Sequence, residues 1–160
     1  MRLVVAAVGR MKRGPEHDLA ERYRERAAKS GRAIAISDVA VIEVAEGRGR
    51  RAWERMSEEA TRLGAAIPDR SALVALDARG ESLSSEVFAA RIRLWRDAGR
   101  PAAVFLIGGP DGLAADLAGR ADLRLSFGPA TWPHQLVRIM LLEQFYRAIA
   151  ILSGHPYHRA

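Results

Sequence analysis

Residues 102–112 read AAVFLIGGPDG. An unbroken apolar run from Ala102 to Ile107, bounded by Pro101 and Gly108, is the pattern of a short strand buried on both faces. The glycines that follow let the backbone approach a ligand closely or turn through left-handed dihedrals. Considered alone, the loop is equally well a tight strand-to-helix turn. It is not G-x-G-x-x-G and carries no Lys-Ser/Thr pair, which disfavours a dinucleotide or triphosphate site. Working outward, residues 3–8 (LVVAAV), 34–44, 71–77 (SALVALD) and 123–126 are further short apolar segments. Helical spacing separates them. Leu19, Tyr23 and Ala27 mark a first helix over 16–29, and Trp53, Met56, Ala60 and Leu63 mark the inner face of a second. A third is capped by Ser85 and turns Phe88, Ile92 and Trp95 inward. The last begins near Pro133 or His134 and runs to about Leu152. Strands alternating with helices predict one α/β domain over residues 1–160, with a mostly parallel sheet and helices on both faces. Ligands in such sheets bind beyond the carboxyl ends of the strands. That rule selects three loops: after Leu76, after Ile107 and after Ser126.

Composition narrows the function classes. The formal net charge is +6, and the isoelectric point about 10.6 favours a polyanionic partner such as RNA. Nearly all the basic residues are arginines, Lys12 and Lys29 being the exceptions. There is no cysteine, which excludes disulfides, thiolate nucleophiles and cysteine-based zinc sites. No apolar run approaches the ~20 residues of a membrane span, and the opening segment is too short for a signal-peptide core. The expected location is the cytoplasm.

Two further segments carry candidate chemistry. Residues 125–134, LSFGPATWPH, hold Gly128, Pro129 and Pro133 around Phe127, Ala130, Thr131 and Trp132. Such an irregular loop suits an adenine bound through main-chain atoms and apolar contact; it also suits a simple cap for the last helix. The tail GHPYHR, residues 154–159, places His155, Tyr157, His158 and Arg159 together. Tyrosine can stack on a splayed base and arginine can hold phosphate. A terminus of this kind also frays. No histidine spacing supports a metal site, and none is expected. The arginines of EGRGRR, residues 46–51, can grip phosphates or form a solvated loop. Trp53 and Trp95 read as packing, and His17 as a surface residue. In the last helix only Arg138, Glu143, Gln144 and Arg147 interrupt the apolar run from Leu136 to Leu152. A helix apolar nearly all round must be covered on nearly all sides. A second subunit is one source of that cover, a central position within one chain the other.

Taken in order, FLIGGPDG (105–112), LSFGPATWPHQLVRIMLLEQFYRA (125–148) and GHPYHR (154–159) resemble the SPOUT-class 23S rRNA pseudouridine N3-methyltransferases. The starting LVVAAVG and the LVALD strand match as well, so the resemblance spans the chain. It implies an α/β fold whose C-terminal region forms a trefoil knot, and a homodimer. It further implies methylation by S-adenosylmethionine of N3 of a pseudouridine in a 23S rRNA stem-loop on the assembled ribosome. Cofactor contacts carry over to Leu76, Gly108 and the loop of Phe127, Gly128, Pro129, Ala130, Thr131 and Trp132. The Gly128-Pro129-Ala130 portion is variable in such proteins, so backbone rather than side-chain contacts are expected there.

The reaction so implied is an in-line displacement that needs alignment and loss of the N3 proton. His155, Tyr157 and His158 are the candidate bases, with His134 behind them and solvent as an alternative. Arg138 and Arg159 are candidates for holding phosphate or a developing oxyanion. A non-catalytic ribosome-binding factor on the same fold is the rival reading, separable by whether the protein binds S-adenosylmethionine.

Overall fold

A computed structural model describes residues 1–158. Five strands form one parallel sheet in the order β2-β1-β4-β3-β5. They are β1 (Arg2–Val8), β2 (Asp38–Val44), β3 (Ala72–Ser82), β4 (Ala102–Ile107) and β5 (Leu123–Ser126). The helices are α1 (Pro15–Gly31), α2 (Ala52–Gly64), α3 (Ser85–Asp97), α4 (Ala115–Gly119) and α5 (His134–Ser153). Since all strands run the same way, every strand-to-helix loop leaves from the same edge of the sheet.

The central strands are buried on both faces, and their alternate residues divide the core into two layers. Leu3, Val5, Ala7, Val74 and Phe105 face α1, α3 and α5, whereas Val4, Ala6, Val8, Val104 and Leu106 pack with Leu63 of α2 and Leu117 of α4. The first layer is anchored by aromatics: the Phe105 ring lies 4.7 Å from Phe145 and 5.7 Å from Phe88 between centroids, edge-on to both. Such pairs add to the gain from area burial. Helices thus cover both faces, as the alternating pattern predicts.

Local differences from the sequence reading have physical causes. The second apolar region is split: residues 32–34 form a 3₁₀ turn and Ile36 fills the core ahead of β2. The cap of α3 is Ser84, whose Oγ accepts from Val87 N at 3.3 Å, while Ser85 donates to Gln144 Oε1 at 2.9 Å. β3 does not end at Asp77. Leu76 pairs with Leu125, the chain then steps out of register, and Glu81 pairs with the same Leu125. A Cβ on Gly80 would lie 2.5 Å from the Arg124 carbonyl oxygen, so only glycine allows this excursion to hug β5.

α5 finds most of its cover within the chain. It packs against both α1 and α3, which buries Ile139, Leu141, Leu142, Phe145, Ala148 and Ile149. The central-helix reading therefore accounts for its composition, and burial of α5 by itself does not require a second subunit. One apolar groove remains open beside it, about 340 Å³, lined by Leu19, Tyr23, Leu83, Phe127, Ile139 and Met140. Trp53 departs furthest from expectation: it is 60% exposed rather than packed. The inner side of the first turns of α2 is taken up by Glu54, Arg55 and Glu59, which hold the preceding loop. Trp95 is buried as expected. No helix among the described residues is long and apolar enough to cross a membrane.

Candidate methyl-donor cleft and C-terminal tail

The three loops selected by the sheet rule meet around one cleft of about 210 Å³. β3 contributes Leu76, Asp77 and Ala78; β4 contributes Ile107, Gly108 and Gly109, with Gly112 and Leu113 returning past them. β5 leads into Phe127, Gly128, Ala130, Thr131 and Trp132, and α5 adds His134 and Val137. Pro129 is exposed and outside this lining.

Local geometry explains why the glycine turn of the wall presents backbone. Gly112 N donates to Gly109 O at 2.9 Å, closing the turn, and Gly112 sits at φ +90, a left-handed value that favours glycine. A Cβ at Gly108 would fall 2.6 Å from the Gly112 carbonyl carbon, so no side chain fits there. Ser126 Oγ accepts from Gly128 N at 3.0 Å and donates to Ala78 O at 3.1 Å, tying the β5 loop to the β3 excursion. Arg55 Nε donates to Asp111 Oδ2 at 2.7 Å and Nη2 to Oδ1 at 3.1 Å, clamping the glycine turn onto α2. That pair holds the Asp111 carboxyl below its ordinary range. Asp77 is lowered too, chiefly by the amide of Arg79. It is the acidic side chain in the cleft wall.

Arg138 lies elsewhere and is not free for substrate. It is 4% exposed. Its Nη1 donates to Glu43 at 2.7 Å, and Nη2 to the carbonyls of Val8 and Gly9 at 2.8 and 2.7 Å. Burial depresses its pKa while Glu43 opposes the shift. These contacts make it a brace between α5 and the end of β1, not a hand for phosphate.

From the end of α5 the tail folds back onto the middle of that helix and the start of α3. Tyr157 OH donates to Glu143 Oε1 at 3.1 Å, and the Arg147 guanidinium stands 4.9 Å over the Tyr157 ring. His158 Nε2 lies 2.8 Å from Glu86 Oε1. His155 is exposed, its Nδ1 accepting from Tyr157 N at 3.2 Å. Desolvation, then Tyr23 and Glu143, push the Tyr157 phenol up to about 12. Glu86 is held at about 2 by the Ser84 hydroxyl, its own amide and His158. Arg159 lies outside the described residues. So His134 reaches the cleft, whereas Tyr157 and His158 dock at Glu143 and Glu86, with His155 beside them, and none of the three lines the cleft.

A family model described as Predicted SPOUT methyltransferase matches residues 1–158. The chain belongs to the SPOUT methyltransferase family. Three curated proteins named Ribosomal RNA large subunit methyltransferase H align with all of this chain and all of their own length. They come from Bradyrhizobium diazoefficiens, at 55% identity, and from Rhodopseudomonas palustris strain BisA53 and Afipia carboxidovorans, each at 54%. Among solved structures, a probable methylase family protein from Haemophilus influenzae Rd KW20 aligns with 99% of this chain and 70% of its own. Its identity is 8% and its TM-score 0.49. A SpoU methyltransferase from Streptomyces viridochromogenes in complex with AdoMet covers 90% and 56%, at 13% identity and a TM-score of 0.41.

For this SPOUT member, reading the sequence missed Asp77 and Val137 in the cleft wall. Asp77 closes the quoted SALVALD run and was detectable as the polar residue at a strand end. Val137 carried no such mark, because only the fold brings the start of α5 to that wall.

Proposed function

We propose that this protein transfers a methyl group from S-adenosylmethionine to N3 of a pseudouridine in a stem-loop of large-subunit ribosomal RNA, acting as a homodimer on the assembled ribosome. The observation that carries the reading is the glycine-floored cleft: at Gly108 a Cβ would strike the Gly112 backbone, so the floor presents main chain to a ligand. Full-length identity to proteins named for ribosomal RNA methylation supports the substrate class.

The residues fit S-adenosylmethionine. Leu76, Phe127, Ala130 and Trp132 offer apolar contact, and amides and carbonyls around Gly108 and from 127 to 132 offer hydrogen bonds, so the adenine and ribose need few polar side chains. Pro129 contributes by fixing the loop. When bound, the sulfonium supplies an electrophilic methyl and leaves as a neutral thioether. The chain's own task is to align N3 with that methyl and take the N3 proton. Tyr157, raised to about 12, keeps its proton at neutral pH and acts as a donor. We assign proton acceptance to His155 and His158, with Arg159 on phosphate or the developing oxyanion.

None of His155, Tyr157 and His158 lines the cleft of its own chain, which supports the homodimer. A tail held at Glu143 and Glu86 of its own chain serves the cleft of a second copy. The open groove shares Phe127 with the cleft, so a partner seated in that groove lies beside the donor loop.

Mass spectrometry of ribosomal RNA from cells lacking and then regaining this protein tests the proposal. A methylated pseudouridine should vanish and return; an unchanged modification pattern overturns the reading. In the purified protein, His155→Ala with His158→Ala should reduce methylation while calorimetry shows intact S-adenosylmethionine affinity. Full turnover in that variant removes both imidazoles from the mechanism.

A further inference from the structure

We propose that the loop over residues 46–51, together with Trp53, is a rigid RNA-docking surface that grips phosphates through Arg48, Arg50 and Arg51 and stacks a base on the indole. The inference rests on the ribosomal RNA reading above and adds where the RNA is held.

The backbone of this loop is fixed by α2. Gly47 N donates to Glu59 Oε1 at 2.8 Å, Arg48 N to Glu58 Oε2 at 3.0 Å and Arg51 N to Glu54 Oε2 at 3.0 Å. From the other side Arg55 Nη1 donates to the carbonyls of Gly49 and Arg50, both at 3.2 Å. A Cβ at Gly47 would lie 2.5 Å from Arg55 Cα, and one at Gly49 would lie 2.4 Å from Glu54 Cβ. The loop is therefore pressed onto the helix, with three of its amides and two of its carbonyls bonded to α2 and the Glu54, Glu58 and Glu59 carboxylates engaged. What it turns outward is charge: Arg48, Arg50 and Arg51 are exposed, and among the described residues none forms a salt bridge. A solvated surface loop has no need of this bracing; a loop that must present guanidiniums at fixed positions does. Trp53, 60% exposed on the next turn, is a large apolar side chain beside these cations. Aromatic and arginine groups side by side are the elements of single-stranded RNA recognition.

Position agrees. The loop follows β2, so it leaves from the sheet edge that carries the donor cleft. Arg55, which holds the loop, is the residue clamping Asp111 of the glycine turn. A small cleft lined by Arg10, Met11, Glu46, Gly109, Pro110 and His134 runs between the loop and the donor site, sharing Gly109 and His134 with it. Arg10, Lys12 and Arg13, exposed on the neighbouring β1 loop, extend the positive strip.

The test compares wild type, the triple variant Arg48→Gln, Arg50→Gln, Arg51→Gln, the matching triple lysine variant, and Trp53→Ala. Binding to vacant ribosomes is measured by sedimentation over a range of KCl, with methylation and calorimetry for S-adenosylmethionine alongside. The glutamine variant should bind ribosomes about tenfold or more weakly, with a log–log salt slope shallower by about two. Its KM for ribosomes should rise while kcat and S-adenosylmethionine affinity stay. The lysine variant should keep the salt slope. Trp53→Ala should weaken binding about fivefold or more without altering the slope. A glutamine variant with unchanged salt slope and KM overturns the proposal. So does weakening by Trp53→Ala alone, which marks a contact with ribosomal protein instead. Wild type that binds ribosomes with the steep salt dependence but methylates nothing overturns the proposed reaction and leaves this surface standing.

Discussion

A methyl group added at Gly108 would meet the main chain of Gly112 at 2.6 Å, and main chain cannot rotate aside. Gly108→Ala must therefore shift the 108–112 turn, which forms one wall of the donor cleft. We expect S-adenosylmethionine to bind at least about tenfold more weakly, roughly 1.4 kcal/mol, by calorimetry on a folded protein; unchanged affinity would separate this turn from the cofactor. Arg138 makes the opposite case, a residue whose chemistry invites a catalytic role and whose surroundings assign a structural one. Arg138→Met would take the donor from the carbonyls of Val8 and Gly9, while exposed Glu43 keeps the Met11 amide. A buried acceptor left unsatisfied costs about 1–3 kcal/mol, so urea denaturation should register a loss of that order. Methylation lost with stability intact would return Arg138 to the active site.

Among the elements, strand positions and helix faces were largely legible, because short unbroken apolar runs such as Leu3–Val8 mark doubly buried strands and a 3.6-residue period is written into residues such as Phe88 and Ile92. The cleft was legible for a related reason: in a parallel sheet, strand ends share an edge whatever the strand order. Other features depended on distant contacts. The excursion in β3 exists because β5 pairs with both of its ends, and Trp53 is exposed because Glu54, Arg55 and Glu59 are committed to a loop. The docking of the tail was illegible too, since it depends on Glu86 of α3 meeting His158 across the fold. Glu86 itself has a pH signature, set first by the Ser84 hydroxyl, then by its own amide and His158. The Glu86 pKa is about 2 in the folded chain against an ordinary 4.5, so the folded state favours its ionised form. The resulting stabilisation is complete above about 4.5 and is lost as pH falls toward 2. Glu86→Gln should be less stable than wild type at pH 7, with the gap closing by pH 2 in denaturation curves. A gap independent of pH would mean that Glu86 acts through shape rather than charge.

At the scale of the whole molecule, the composition of α5 suggested a subunit interface, yet α1 and α3 cover most of that helix. The proposed homodimer rests on something narrower: the open groove, and a tail that docks at Glu143 and Glu86 rather than in the cleft of its own chain. Met140 lies in the groove and outside the donor cleft, which makes it a probe of assembly separate from cofactor binding. A carboxylate placed there would have to be desolvated when a second apolar surface closed over it, at a cost of several kcal/mol unless paired. On the proposed homodimer, Met140→Glu should therefore sediment as a monomer at concentrations where wild type sediments as a dimer. It should retain S-adenosylmethionine affinity, because every loop of the cleft belongs to one chain, and it should lose methylation, because the tail has no second cleft to enter. An active monomer would show that the tail can leave Glu143 and Glu86 and fold back on its own chain, and the two-chain site would then have to be abandoned.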